Sequence, residues 1–212
     1  MSSFSTPQPP QKVKALIFDI GNVIFDISFD LVFLHAQKLT GRDAQELKSL
    51  FTFNEVFESF ERGHVTPEEF TREFNRQTRL NLSLEQFDAC WNAIYLDAFP
   101  GIGDLLQTLK TTYRVVALSN TNILHTNDWL LRYAPIVGLF ERLFLSNEMG
   151  ERKPDARAYQ MVLEYLEMQP HEVLFLDDKI ENIHGAAALG IHTIHVLDYK
   201  QMRDDLSLQL VV

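Results

Sequence analysis

One short segment near the start of the sequence constrains the fold more than any other. The apolar run from Ala15 to Phe18 leads directly into Asp19 and then into a turn that contains Gly21 and Asn22. Apolar and polar residues do not alternate in this run, which is typical of a central parallel strand covered on both faces. Ligands bind beyond the carboxyl ends of such strands, so Asp19 is a candidate functional residue, although a single Asp here is more often a turn former or helix cap.

Three later segments repeat this combination of an apolar strand and polar residues after it. They are residues 115–119, which end in Ser119; residues 143–153, which end in Lys153; and residues 173–178, which end in Asp177 and Asp178. The stretches between the strands have helical patterns, and such alternation predicts a parallel sheet with right-handed crossovers. We therefore expect a Rossmann-like α/β core with helices on both faces of the sheet, and a crevice that brings these side chains close to Asp19.

Residues 27–99 interrupt the alternation with helical patterns only. We therefore expect an inserted α-helical cap, with the core made of residues 13–26 and 100–212. Two N-capping sequences, which begin at Thr66 and Ser83, predict helix starts within the insertion. Five phenylalanines at helical spacings predict a small apolar core of its own; they are Phe51, Phe57, Phe60, Phe70 and Phe74.

The polar residues at the strand ends, in this order, resemble those of the haloacid dehalogenase superfamily of hydrolases, most of which are magnesium-dependent phosphatases. The resemblance covers nearly the whole chain. It implies that Asp19 is the nucleophile, that Ser119, with Asn120 beside it, holds the phosphoryl group, and that Lys153 is the neighbouring cation. Asn182 matches the polar residue that commonly follows the acidic pair in this superfamily.

These residue types suit phosphoryl transfer. A carboxylate can attack phosphorus and form an aspartyl phosphate, which splits one displacement into two easier ones. Magnesium prefers oxygen ligands and usually retains several waters. The expected ligands are Asp19, Asp178 and the carbonyl oxygen of Gly21, with Asp177 either a ligand or a partner of one. Lys153 would neutralise the transferring oxygens. Taken singly, each of these residues more often has a structural role.

Gly21 departs from the usual first motif, in which a second Asp stands two residues after the nucleophile. That Asp acts as a general acid and base, a contribution of roughly 10²–10⁴-fold. Three explanations stay open: a leaving group that needs little protonation, another residue or water in this role, or a site without turnover. The first explanation also suits a sugar 1-phosphate, whose leaving hydroxyl is more acidic than an ordinary alcohol.

The first motif, D-x-G-N-V from Asp19 to Val23, and L-S-N-T-N from Leu118 to Asn122 narrow the resemblance. They are similar to a branch of capped subfamily I that includes glucose-1-phosphatase-type enzymes, in which Gly21 is a normal feature. This resemblance implies a sugar phosphate as substrate. Asn22 would then orient a water or a substrate hydroxyl, although turn formation alone accounts for an Asn beside a Gly.

Two other functions remain open. Hydrolytic dehalogenation of a 2-haloacid needs no leaving-group proton, but that branch works without a metal and does not usually carry an adjacent pair such as Asp177-Asp178. A phospho-ligand binding protein without turnover would keep the pocket.

Several further side chains have a functional and a structural interpretation. By resemblance to capped relatives, the turn from Glu61 to His64 reaches the active site, where Arg62 would contact phosphate or substrate hydroxyls; an exposed Arg is more often simply solvated. His125 could shuttle protons, although a polar helix-face histidine is the commoner case. We interpret His184, His192 and His195 as structural.

Composition agrees with a soluble, cytoplasmic enzyme, and the resemblance implies that its substrate is a small phosphorylated metabolite. The chain has 212 residues, of which 46% are hydrophobic, enough for a core and a smaller cap core. A formal charge of −10 argues against a nucleic-acid partner. No apolar stretch is long enough to span a membrane. A single cysteine, Cys90, fits a reducing compartment. We expect residues 1–12 to be a flexible tail, and the protein to be a monomer or homodimer.

Overall fold

The computed structural model describes residues 13–210, so the predicted tail, residues 1–12, and the last two residues lie outside the described part. The described chain contains seven strands: β1 (Ala15–Phe18), β2 (Phe25–Ile27), β3 (Tyr95–Ala98), β4 (Arg114–Ser119), β5 (Leu143–Leu145), β6 (Val173–Asp177) and β7 (His192–His195). Five of them form one sheet in the order β5-β4-β1-β6-β7, and every neighbouring pair is parallel. The predicted parallel α/β fold is confirmed.

Twelve α-helices are present in residues 13–210. They are α1 (Asp30–Thr40), α2 (Ala44–Leu50), α3 (Glu55–Glu61), α4 (Pro67–Thr78), α5 (Leu84–Trp91), α6 (Ile102–Lys110), α7 (Ile123–Arg132), α8 (Ala134–Val137), α9 (Ser146–Met149), α10 (Ala156–Leu166), α11 (Ile180–Ala188) and α12 (Tyr199–Gln209). None of them is long and apolar enough to cross a lipid bilayer.

The central strand β1 has apolar side chains on both faces because both faces are covered. Leu16 and Phe18 pack in one core with residues of α6, α7 and α12, whereas Ala15 and Ile17 pack in a second core with residues of α10 and α11. All four side chains are fully buried. This burial accounts for the unbroken apolar run in the sequence.

Helices α1 to α5, which we call the cap helices, have an apolar core of their own. The five predicted phenylalanines lie in it, together with Trp91 and the buried Cys90. Thr66 and Ser83 each cap a helix with the reciprocal hydrogen bonds of a capping box, at the starts of α4 and α5. These local predictions are confirmed.

The expectation that residues 27–99 contain only helices is wrong at the C-terminal end of this range, where β3 lies. Strands β2 and β3 pair antiparallel and form a two-stranded ribbon that connects the core to the cap helices. They are only 3 and 4 residues long, and each contains an aspartate, so no strand periodicity was visible. Their pairing depends on contacts between residues about 70 positions apart in sequence, which a local pattern does not encode.

Candidate active site

The carboxyl ends of β1, β4 and β6 bring the predicted residues to one edge of the sheet. Asp19 follows β1, where its backbone N–H donates to the carbonyl oxygen of Leu176 at 2.8 Å. Ser119 ends β4 and Asp177 ends β6. These residues lie in or beside a cavity of about 80 Å³, which is lined by both the core and the cap. A water molecule needs roughly 10–15 Å³ on this measure, so the cavity has room for a phosphate group and a few further atoms.

Lys153 is the central cation of the site. Its side chain is 1% exposed, and its Nζ lies 2.7 Å from Oδ1 of Asp19 and 2.6 Å from Oδ2 of Asp177. Burial disfavours the charged ammonium, but the carboxylates of Asp177 and Asp19 outweigh it and raise the pKa of Lys153 above its ordinary value. Lys153 is therefore held as a cation beside the candidate nucleophile.

The carboxyl group of Asp19 is a weaker acid than an ordinary aspartate. Burial raises its pKa to about 7, with smaller contributions from the charges of Asp177 and Asp178, whereas Lys153 opposes the shift. The cluster of three carboxylates holds one buried ammonium, so its net charge is negative when all groups are ionised. A further cation here would favour the ionised form of Asp19, which is the nucleophilic form.

Two asparagines position this cation and its partner. The side-chain amide of Asn120 donates to the carbonyl oxygen of Lys153 and accepts from its backbone N–H, both at 2.8 Å. Asn182 donates to Oδ1 of Asp177 at 2.9 Å, and the same oxygen accepts from the backbone N–H of Lys179 at 2.8 Å. Asn120, predicted to contact the phosphoryl group, thus directs both polar atoms of its side chain at the loop that carries Lys153.

Three carboxylates offer oxygens for a metal ion: ligand atoms of Asp19, Asp177 and Asp178 lie within 4.8 Å of one another. Asp177 already accepts hydrogen bonds on both oxygens. The carboxylate of Asp178 receives one hydrogen bond among the described residues, at 3.0 Å from Nδ2 of Asn22. Asp19 and Asp178 are therefore the available ligands, and their hard oxygens and the excess negative charge fit a divalent cation such as Mg²⁺.

Asn22 has two functions in this arrangement. Its backbone is left-handed, with φ of 56°, and its Oδ1 accepts from the backbone N–H of Ile27 at 3.2 Å. Its Nδ2 holds Asp178. Each end of the side chain has one protein partner, which places Asn22 in the turn and beside Asp178, and its contact with a water or a substrate hydroxyl stays a prediction.

Gly21 lines the cavity next to Asp19, and Ile27 occupies the adjacent space. A Cβ atom on Gly21 would lie 2.8 Å from Cδ1 of Ile27. Where a second acidic side chain would stand, the cavity therefore has the apolar end of Ile27. No described residue of the first motif other than Asp19 brings a carboxylate to the cavity wall.

The turn after α3 approaches the core, but the residue that lines the cavity is Glu61 and not Arg62. The guanidinium of Arg62 instead forms ion pairs with Glu151 and Asp155 on the core surface. Helix α3 ends at Glu61, and its direction turns the following side chain outward toward those carboxylates. Arg62 therefore does not line the cavity in this structure, and its contact with substrate stays a prediction.

His125 is buried in the wall between cap and core. Its ring stacks on Trp91 with centroids 5.2 Å apart. Nε2 lies 3.2 Å from the carbonyl oxygen of Trp91, which can only accept, and Nδ1 lies 3.0 Å from Nδ2 of Asn122. Burial lowers the pKa of His125 to about 3. The ring is thus neutral with both nitrogens engaged, which argues against a proton shuttle. Of the other histidines, His184 and His192 are exposed and His195 contacts the Asp178 carbonyl oxygen at 3.0 Å.

Comparison with known proteins decides the family. Residues 13–190 match the haloacid dehalogenase-like hydrolases. The chain belongs to this family. A D-ribitol-5-phosphate phosphatase of Bacteroides thetaiotaomicron is 26% identical to the hydrolase over 93% of this chain and 98% of the relative. A sesquiterpene phosphatase of Aspergillus oryzae is 32% identical over 87% of this chain and 90% of the relative.

A solved structure agrees with the fold. A haloacid dehalogenase family enzyme from Bacteroides thetaiotaomicron, crystallised with magnesium and inorganic phosphate, superposes with a TM-score of 0.75 at 28% identity. The match covers 90% of this hydrolase and 98% of that chain. The α/β fold of this chain is therefore shared with a family member of known structure.

Sequence reasoning did not find several residues of the hydrolase that line the cavity. From the cap side these are Ile27, Phe29, Phe57, Glu61, Ile94 and Tyr95, and from the core side Asn122 and Lys179. Most are apolar residues with no chemical signature, and their position depends on how the cap helices sit on the sheet. Asn122 was detectable, because it follows Ser119 in the second motif.

Proposed function

We propose that the hydrolase is a magnesium-dependent phosphatase that acts on a small phosphorylated metabolite through an aspartyl-phosphate intermediate. The observation that carries this proposal is the buried ammonium of Lys153 held between Asp19 and Asp177, beside a second available carboxylate on Asp178. The phosphatase relatives and the magnesium and phosphate bound by the similar structure support it.

In the first step, a carboxylate oxygen of Asp19 forms a bond to phosphorus while the bond from phosphorus to the ester oxygen of the substrate breaks. Lys153 neutralises the oxygens of the transferring group, and Ser119 and nearby backbone N–H groups hold them. Magnesium bound by Asp19 and Asp178 would supply charge stabilisation for the same oxygens. Water then attacks the phosphorus, which releases phosphate and restores the carboxylate of Asp19.

Protonation of the leaving oxygen is the step for which this chain has no dedicated acid beside Asp19. Ile27 and Gly21 occupy the expected place. We therefore propose a leaving group that departs with little help, such as the anomeric hydroxyl of a sugar 1-phosphate. The D-ribitol-5-phosphate phosphatase relative supports a sugar-derived phosphate as the broader substrate class, but the leaving hydroxyl of ribitol 5-phosphate is an ordinary alcohol, so this relative does not support the anomeric preference.

We further propose that residues 27–99 act as the cap over the site and that residues 13–26 and 100–212 form the catalytic core. The small cavity implies that the cap must move for a metabolite with more than a few atoms beyond phosphate to enter. Cytoplasmic location and a monomeric or homodimeric state are part of the same proposal.

The test is phosphate release by the purified protein from sugar 1-phosphates, sugar-alcohol phosphates and an aryl phosphate, with magnesium or with EDTA. We expect release that requires magnesium and that is lost in Asp19→Asn. Chloride release from a 2-haloacid without magnesium would instead show a dehalogenase. Magnesium-dependent binding of phosphate without turnover of any ester would show a binding protein.

A further inference from the structure

The cap contributes a wall of unusual composition to the cavity. Of the six cap-side residues that line it in the described structure, five are apolar or aromatic, and Glu61 is the one that carries a charge. The leaving group of a bound ester must face this wall, because the core side binds the phosphoryl group. A leaving group therefore meets apolar surface and one carboxylate.

Arg152 holds one of the two carboxylate oxygens of Glu61. Arg152 contacts Oε2 through Nε at 2.9 Å and through its terminal nitrogen at 2.8 Å. No described residue donates a hydrogen bond to Oε1. The whole residue is 7% exposed, so Glu61 is held rigidly with one acceptor that is free of protein partners.

A carboxylate in a cavity that receives phosphate is electrostatically unfavourable unless it is compensated. Burial raises the pKa of Glu61, and Arg152, with the more distant Lys179 and Lys153, opposes this shift. The ion pair with Arg152, at 2.8 Å, favours the ionised form of this carboxylate. The same turn makes a second contact with the core, because Arg62 pairs with Glu151 and Asp155. Gly63 also packs against the backbone oxygen of Asn147.

We propose that Glu61 is a specificity-determining residue that accepts a hydrogen bond from a hydroxyl group of the leaving group. The same charge disfavours leaving groups that carry a carboxylate, such as phosphoglycolate, because two anions would face each other in a confined site. This inference rests on the proposed phosphatase function and narrows its substrates to hydroxyl-bearing, non-acidic phosphate esters.

The experiment compares two small ligands of similar size, glycerol 3-phosphate and 2-phosphoglycolate. Each is used as a competitor during hydrolysis of an aryl phosphate in the presence of magnesium, so its affinity is measured whether or not it is turned over. We expect the wild-type protein to bind glycerol 3-phosphate more tightly. Glu61→Gln should lower the affinity for glycerol 3-phosphate and raise the affinity for 2-phosphoglycolate. The ratio of the two inhibition constants should therefore shift about 10- to 100-fold.

The matched control is Glu58→Gln. Glu58 lies one turn earlier on α3 and also approaches Arg152, at 3.6 Å, but its side chain is 52% exposed and it does not line the cavity. Its substitution should leave the ratio unchanged. If Glu61→Gln does not fold, the double variant Glu61→Gln/Arg152→Gln removes both charges of the pair and should show the same shift.

An unchanged ratio in the Glu61 variants, an equal loss of affinity for both ligands, or a wild-type preference for phosphoglycolate would overturn the inference. Failure of the phosphatase proposal has a different signature, which is that the wild-type protein releases no phosphate from the aryl ester.

Discussion

The ammonium nitrogen of Lys153 lies 2.7 Å from Oδ1 of Asp19, and the two side chains are 1% and 11% exposed. A buried ion pair of this kind contributes little net stability compared with apolar groups, but removal of one partner leaves the other charge uncompensated. The pair is therefore better explained by chemistry at Asp19 than by stability.

Replacement of Lys153 by methionine should have two consequences. Turnover of the aryl phosphate should fall at least 10³-fold, because the transferring oxygens lose their cation. The free energy of unfolding at pH 8 should fall by about 3–5 kcal/mol, because Asp19 and Asp177 remain buried without it. The loss should be smaller at pH 5, where Asp19, whose pKa burial raises to about 7, can take up a proton. Lys179→Met, which removes an exposed cation from the same cavity, is the control and should be close to wild type in denaturant unfolding.

Asn22 can be tested with two substitutions that separate its backbone and side-chain functions. Asn22→Gly accommodates the left-handed backbone but loses the hydrogen bond to Asp178. Asn22→Ala loses the same hydrogen bond and is also strained in the left-handed conformation. Both variants should need about 10- to 100-fold more magnesium for half-maximal activity. Only the alanine variant should lose a further 1–2 kcal/mol or so of stability, from backbone strain. Equal magnesium requirements in wild type and Asn22→Gly would contradict the orientation of Asp178 by Asn22.

Introduction of an acid at Gly21 should change how the rate depends on the leaving group. In an Ile27→Ala background, which removes the side chain that a Cβ at Gly21 would contact, Gly21→Asp should accelerate hydrolysis of alkyl phosphates at least tenfold. Aryl phosphates with acidic phenols should respond less, so the slope of log rate against leaving-group pKa flattens. Gly21→Asn in the same background has nearly the same shape and cannot donate a carboxylic proton; an equal acceleration there would argue against the missing-acid explanation.

His125 should make the protein sensitive to acid. Burial lowers its pKa to about 3 in the folded state, whereas an unfolded histidine titrates near 6.5. Between these values the unfolded state binds one more proton than the folded state. This group alone should therefore reduce the free energy of unfolding by about 1.4 kcal/mol for each unit that the pH falls below 6.5. Urea unfolding at pH 7, 6 and 5 should give a shallower dependence for His125→Gln than for wild type. Parallel curves would mean that His125 is already protonated in the folded protein.

Arg62 should matter little for catalysis. Its ion pairs with Glu151 and Asp155 are partly exposed, and such pairs contribute about 0–1 kcal/mol. Arg62→Ala should therefore change kcat/KM for the aryl phosphate less than about threefold and shift the urea midpoint only slightly. A loss of 100-fold or more would place Arg62 at the substrate after all, in a conformation of the turn different from this one.

The sequence predicted those parts of the site that depend on strand ends. Asp19, Ser119, Asp177 and Asp178 each follow an apolar run, and parallel strands necessarily bring such residues to one edge. Thr66 and Ser83 were equally predictable, because a capping box is a local hydrogen-bond arrangement.

The sequence did not predict features that depend on packing between distant segments. Glu61 and Arg62 are adjacent polar residues, and only the path of α3 relative to the core decides which of them enters the cavity. The burial of His125 requires Trp91 of the cap to lie over it, and the ribbon requires Ile27 and Tyr95 to meet from opposite ends of the insertion. None of these encounters leaves a periodic signal in the sequence.

The ribbon of β2 and β3 has a consequence for how this chain can diversify. The insertion leaves the core at Ile27 and returns at Tyr95, and these two residues pair in the ribbon. The two ends of the insertion are therefore held next to each other where they join the core. On the proposed function, recognition of the leaving group depends on the insertion and cleavage of the ester bond depends on the core, so a foreign helical segment grafted between residues 27 and 95 should change the substrate rather than the reaction.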